Sequence, residues 1–232
     1  MLYAMSDLHG CFDQYQRMLR EIEFSSHDTL YVLGDVIDRG PDGIRILQDM
    51  NGRPNVFPIL GNHELTAAVC LPWLMEEVTD QSLDTLDKAQ IAALSEWITN
   101  GGGPTLRSLK LLSQEEREDI LEYFREMELY IEVEVNGRSF ILLHTVPEHF
   151  SPNQPLDSYE LKDFLFGRPN LNMTYFPDKI LVLGHTPTRL LWGQDKIFRT
   201  GNLIDIDCGC VFKGGCLGCL CLDTMEEFYV SK

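Results

Sequence analysis

Two aspartates, one asparagine and three histidines in this chain stand at, or just beyond, the ends of short apolar runs. The runs are Leu2–Ser6 into Asp7, Leu30–Leu33 into Gly34-Asp35, Val56–Leu60 into Gly61-Asn62, Phe140–Leu143 into His144, and Ile180–Leu183 into Gly184-His185. His9 follows Asp7 by two residues, so in an extended segment the two side chains share a face and can hold one ion together. Carboxylate and amide oxygens beside imidazoles form a donor set for divalent cations, and six such donors suit a two-metal hydrolytic site. A lone histidine after an apolar strand is more often a satisfied core residue than a ligand. Here two of them, His144 and His185, accompany three other strand-end ligand blocks, and coincidence becomes the weaker explanation.

Each of these runs is rich in Val, Ile, Leu or aromatic residues and stops at glycine or a polar residue, which reads as a buried strand followed by a tight loop. In open α/β sheets, ligands gather outside the carboxyl ends of strands. Residues 1–64 alternate strands with helical patterns at Phe12 to Ile22 and near 41–50, where Pro41 can open the helix. This βαβ order predicts a largely parallel first sheet. Residues 65–128 carry helical patterns near 65–77, 87–99 and 114–127, with a capping box from Ser113 to Glu116. The expectation is a helical cap inserted into a single domain that spans residues 1–232. Asn136-Gly137 predicts a hairpin between Tyr130–Val135 and Ser139–Leu143. Strands at 180–183, near 196–199 and at 203–206, with a hairpin from about 217 to 230, are expected to complete a second sheet.

With 36 Asp+Glu against 19 Lys+Arg, the formal net charge is -17. Such a surface repels nucleic acid and anionic membranes, so neither is an expected partner, and any phosphate site must be locally positive. No apolar run approaches the ~18 residues of a membrane span, and a strand starting at residue 2 leaves no room for a signal peptide. A cytoplasmic protein is expected. Seven cysteines, an odd number without an export signal, argue against a disulfide framework. Cys208, Cys210, Cys216, Cys219 and Cys221 have zinc-like spacing. The stronger reading is that they are small hydrophobes, because Cys219 and Cys221 alternate with Leu220 and Leu222 along a strand.

Taken in order, Asp7-x-His9-Gly10, Gly34-Asp35-x-x-Asp38-Arg39-Gly40, Gly61-Asn62-His63-Glu64, His144 and Gly184-His185 resemble the phosphoprotein phosphatase family of metallophosphoesterases. The likeness is greatest to small bacterial and phage-type members, which are themselves related to symmetrical diadenosine tetraphosphatases. It implies an α/β fold, a four-layer αββα sandwich. It implies Asp7, His9, Asp35 and His185 around a first divalent ion, and Asp35, Asn62 and His144 around a second, with Asp35 and a hydroxide bridging them. Manganese is the foremost candidate for both ions, with iron or zinc as alternatives. It also implies Arg39 as a phosphate binder, helped by Asn62, and His63 as the acid that protonates the leaving oxygen, oriented by Asp38. Phe164-Leu165-Phe166-Gly167-Arg168-Pro169 is similar to the segment that carries a second phosphate arginine, here Arg168. Where the family usually has small residues after the fourth-block histidine, this chain has Thr145-Val146-Pro147, which is expected to reshape the pocket wall.

Three functions are compatible with these residues. The first is a serine/threonine protein phosphatase-like phosphomonoesterase acting on a phosphorylated protein or small phosphoester. The second is a symmetrical dinucleoside polyphosphate pyrophosphohydrolase, and the third a binding module on a decayed phosphatase fold. The first is preferred to the second because Gly61-Asn62-His63-Glu64 looks closer to the protein-phosphatase form, and the third ranks last because the site residues are complete.

Overall fold

The computed structural model describes residues 1–74 and 87–232. Among these described residues, ten strands form two five-stranded sheets. The first has the order β10–β9–β1–β2–β3 and uses β1 (Leu2–Met5), β2 (Thr29–Val32), β3 (Val56–Pro58), β9 (Cys216–Cys221) and β10 (Glu227–Ser231). The second has the order β4–β5–β6–β8–β7 and uses β4 (Tyr130–Val135), β5 (Arg138–Leu143), β6 (Ile180–Leu183), β7 (Phe198–Thr200) and β8 (Leu203–Asp205).

Strands β1, β2 and β3 run parallel, as the alternation with α1 (Phe12–Glu21) and α2 (Gly43–Asn51) predicts. The C-terminal hairpin departs from expectation. It belongs to the first sheet, where β9 lies antiparallel to β1 with Met5 opposite Cys219. This makes the first sheet mixed, and it gives β1 a partner on each side. In the second sheet β5, β6 and β8 are parallel, and β4 and β7 are antiparallel edges. Asn136 and Gly137 both have positive φ (52° and 72°), the geometry of a tight two-residue hairpin turn.

The sheets stack face to face. Ala4, Leu33, Phe140, Leu142, Val182 and Leu220 form the layer between them. Their strand neighbours Met5, Ile141, Leu143, Leu181 and Cys219 point outward beneath helices. Strands buried on both faces explain the unbroken apolar runs. The result is two mixed sheets flanked by helices, an α/β sandwich with α1 on β9 and β10. The cysteines divide accordingly. Cys219 and Cys221 face the helix side with Tyr3 and Met5, while Cys208 and Cys216 lie in the layer between the sheets.

Between β3 and β4 the described residues hold α3 (Asn62–Cys70), α4 (Lys88–Trp97), α5 (Gly103–Leu109) and α6 (Gln114–Glu126), with a π-helical turn at Ile98–Gly102. The helical pattern expected near 65–77 reaches residues 75–77, which lie outside the described residues. Ser113 and Glu116 form the expected capping box, with Glu116 N donating to Ser113 Oγ at 3.2 Å and Ser113 N to Glu116 Oε2 at 2.8 Å. Among the described residues no helix is long and apolar enough to cross a membrane.

Leu142 is fully buried between the sheets, whereas Leu111 is 87% exposed. Leu142→Ala should therefore cost about 2–5 kcal/mol in a denaturant melt, and Leu111→Ala no more than about 0.5 kcal/mol.

Candidate metal centre and phosphate site

Parallel strands send their carboxyl ends to one rim of the sandwich. Asp7 follows β1, Asp35 follows β2 and Asn62 opens α3 after β3; His144 follows β5 and His185 follows β6. The two sheets are tied together at this rim by the ligand residues themselves. His144 Nδ1 meets the Leu33 carbonyl at 2.8 Å, and His185 N donates to Asp7 Oδ2 at 2.9 Å. The turns that aim these side chains are strained. Asp7, His9, Asp35, Asp38, Arg39 and His185 all have positive φ, between 41° and 70°. Left-handed backbone at so many bulky residues in one place marks a functional site. Gly10 also has positive φ (67°), and a Cβ there would fall 2.6 Å from the Gly40 carbonyl carbon, so only glycine lets these two loops cross.

The donor atoms form two groups that share Asp35. On one side, His9 Nε2 lies 3.7 Å from Asp35 Oδ2 and 4.0 Å from Asp7 Oδ1. On the other, His144 Nε2, His185 Nδ1 and Asn62 Oδ1 are mutually 3.0 Å apart, and His144 Nε2 is 3.6 Å from Asp35 Oδ1. Ligands held at ~2.0–2.2 Å from a divalent cation in a tetrahedral or octahedral shell sit at about this mutual spacing. The second-shell contacts fit as well. His9 Nδ1 meets the Ile37 carbonyl at 2.9 Å, and His144 Nδ1 meets that of Leu33, so the Nε2 atom of each ring is turned into the site. The residues present thus suit a dinuclear centre. One expectation changes: His185 gathers with Asn62 and His144, not with Asp7 and His9.

The histidines are driven apart electrostatically. Burial, opposed only in part by Asp35, pushes His9 down to about 3. Burial and the neighbouring His144 push His185 down to about 3. Both rings are neutral at physiological pH, the state a metal requires. His63 goes the other way. Burial disfavours its charge, but Asp35 and the hydrogen-bonded Asp38 override that and raise it to about 9. Asp35 itself would be raised by burial, yet the surrounding imidazoles, His144 foremost, hold it below the usual carboxylate range. Burial and Asp35 raise Asp7 to about 6.

Asp38 is fully buried and bound from three directions. His63 Nδ1 lies 2.7 Å from Oδ2, Trp97 Nε1 donates to Oδ2 at 2.9 Å, and Thr105 Oγ1 donates to Oδ1 at 2.6 Å. Arg39 N donates to the Gly101 carbonyl at 2.8 Å, and Gly101 has φ of 108° beneath the Arg39 side chain. The Arg39 guanidinium reaches both His9 Nε2 (2.5 Å) and His63 Nε2 (3.1 Å). Arg168 Nη1 donates to Thr186 Oγ1 at 2.9 Å, one residue beyond His185. Two guanidinium groups therefore flank the centre, in a chain otherwise strongly acidic.

The family description calcineurin-like phosphoesterase matches residues 2–189. The chain belongs to this metallophosphoesterase family. Calcineurin-like phosphoesterases hydrolyse phosphoesters at a centre of two divalent metals, and two groups of side chains here, His9 with Asp35 and His63 and Asp35 with His144 and His185, lie close enough together to hold metal ions. The chain is 42% identical over 66 residues to a symmetrical bis(5'-nucleosyl)-tetraphosphatase of Delftia acidovorans, 28% of this chain and 24% of that protein. It is 35% identical over 101 residues to the protein of the same name from Vibrio cholerae, 41% of this chain and 37% of that one. The matched segments thus span less than two fifths of the length of these relatives. A crystal structure of a putative diadenosine tetraphosphatase superposes with a TM-score of 0.64 at 18% identity, covering 99% of this chain and 92% of that one. That likeness shows the shared fold.

Three features of this calcineurin-like site do not follow from the sequence reading. Glu64 is buried and accepts from Asp35 N (2.8 Å), Val36 N (2.9 Å), Ile37 N (3.1 Å) and Gly61 N (3.1 Å). Trp97 and Thr105, from the Trp97–Leu106 segment, complete the Asp38 shell. Asp207 lies buried near Asp7 after β8, held well above the carboxylate range by burial and by the Asp7 charge. The alternation Ile204-Asp205-Ile206-Asp207 after an apolar strand was the available signal for the last.

Glu64→Ala leaves four buried N–H groups without an acceptor. It should lower stability by more than about 3 kcal/mol in a denaturant melt, since each orphaned group costs about 1–3 kcal/mol. Glu64→Gln, which keeps one oxygen, should lose less. Equal stability of all three proteins would remove Glu64 from its anchoring role.

Proposed function

We propose that this chain is a dinuclear metal-dependent hydrolase that splits dinucleoside polyphosphates symmetrically, releasing two nucleoside diphosphates from a tetraphosphate. The observation that carries the reading is geometric: two groups of donor atoms meet at Asp35, and the guanidinium groups of Arg39 and Arg168 flank them, an arrangement suited to a chain of several phosphates. The names of the Delftia and Vibrio relatives support the choice of substrate.

The metal ligands in this reading are Asp7 and His9 on one side, Asn62, His144 and His185 on the other, and Asp35 between. Bound divalent ions lower the pKa of the attacking water and place positive charge beside the phosphate oxygens. Manganese is the ion we propose, with iron or zinc as alternatives. Arg39 and Arg168 pair with the remaining non-bridging oxygens, where charge develops in the transition state. Asn62 also lies within reach of the phosphate. His63 delivers its proton to the departing oxygen, and Asp38 holds the ring and stabilises its charge.

Phosphoserine and phosphothreonine monoesters are the second reading, and the Asp38–His63 pair favours them. An alkoxide leaves only if protonated, whereas a nucleotide phosphate is a far better leaving group. A buried acid held by Asp38, itself bound by Trp97 and Thr105, suits the harder departure.

Metal-stripped protein, reconstituted with manganese, should convert diadenosine tetraphosphate cleanly to adenosine diphosphate. Phosphate release from a phosphothreonine peptide with little dinucleotide turnover would replace the first reading with the second. Activity on neither would overturn both. His63→Asn should lower kcat on alkyl phosphoesters by roughly 10²–10⁴-fold and on p-nitrophenyl phosphate much less. An equal loss on the two would contradict the acid role.

A further inference from the structure

Two cavities flank the centre, and neither is accounted for by the metal or phosphate chemistry. The larger, about 410 Å³, lies between the loop after His144 and the segment after α7 (Asp163–Phe166). Val146 and Pro147 line it, so the unusual residues after His144 do shape a pocket wall. Arg168 stands at its edge. The smaller, about 200 Å³, is lined by Asn62, His63 and Trp97. Phe166 lines both and is 48% exposed, an aromatic ring standing between two hollows.

In-line displacement assigns directions to these hollows. The leaving oxygen must face His63, so the leaving half of the substrate departs on the side of the smaller cavity. The half that keeps the attacked phosphorus must extend another way, and Arg168 marks a phosphate-binding path into the larger cavity. That cavity is lined by aromatic rings: Phe150 and Tyr175 have centroids 5.0 Å apart, and Phe166 stands at the end of α7 in the same lining. It also carries an acceptor, the exposed carboxylate of Glu148, and a donor, Asn170, whose Oδ1 already accepts from Asn172 N at 3.0 Å and leaves its Nδ2–H₂ group available. An amino group beside a ring nitrogen, the edge of adenine, complements that pair.

We propose that this larger cavity is a nucleobase subsite, which takes the adenine-type base of the half that retains the attacked phosphorus, with Phe166 as its stacking face. The proposal rests on the dinucleotide reading above. Phe166 is exposed enough that replacing it should leave folding intact. The test compares kcat and KM on diadenosine tetraphosphate with those on linear inorganic tetraphosphate, which has the same phosphate chain and no base. Phe166→Leu keeps an apolar side chain but removes the ring, and should lower the ratio of the two kcat/KM values about tenfold, through KM. This loss, about 1.4 kcal/mol, is the size expected for one lost base–ring stack. Phe166→Trp should restore the ratio. An unchanged ratio in Phe166→Leu, with the wild type still active on the dinucleotide, overturns the subsite alone. A wild type that ignores the dinucleotide and dephosphorylates peptide overturns the dinucleotide reading and the subsite together.

Discussion

A single buried carboxylate organises this protein. Asp35 lies within reach of His9, His63, His144 and His185, and its charge is held by their imidazoles against the cost of burial. A carboxylate withdrawn from water at the junction of two sheets is tolerable only when opposite charge and hydrogen-bond donors compensate it, and Asp35 also accepts from His63 N at 3.2 Å. The same charge, joined by that of Asp38, raises His63, while burial, aided at His185 by the neighbouring His144, leaves His9 and His185 neutral. Asp35 acts on all of these rings, and Asp38, which only His63 meets, sets the acid apart from the ligands.

That carboxylate must be held still, and the fold does so with a second one. Glu64, in the first turn of α3, gathers the backbone N–H groups of Asp35, Val36 and Ile37 together with that of Gly61. It locks the loop after β2 to the loop after β3, so the bridging ligand and Asn62 keep a fixed separation. Asp38 plays a matching part for the acid: Trp97 and Thr105, from the helical block between β3 and β4, fix the carboxylate that orients His63. The helical block therefore contributes to the chemistry through the residues it lends to Asp38. Two sheets supply the ligands, and the block supplies the alignment of the proton donor.

Much of this was legible in the sequence because it is local. A short apolar run that ends in Gly-Asp, Gly-Asn or Gly-His reports both the strand and the ligand at its tip, and the Asn136-Gly137 turn and the Ser113–Glu116 cap are written in adjacent residues. What was not legible is what two distant segments decide together. The C-terminal hairpin alternates cysteine with leucine, but nothing in that pattern says that Cys219 pairs with Met5 rather than with the second sheet. His185 sits with Asn62 and His144 because β5 and β6 are neighbours in the second sheet, and strand order is not encoded in the motif. Glu64 reads as an ordinary helix-start acid until its four donors, three of them from another loop, are seen. The base-sized cavity depends on the packing of residues 146–150 against 166–175, for which no periodicity exists.

The direct test of this account is crystallography of the manganese-loaded protein, with anomalous scattering to locate the ions. Two anomalous peaks should appear with Asp35 between them, one touching Asp7 and His9, the other touching Asn62, His144 and His185, and His63 coordinated to neither. A single peak, or His63 bound as a ligand in place of its contact with Asp38, would contradict the division of roles on which the proposed chemistry stands.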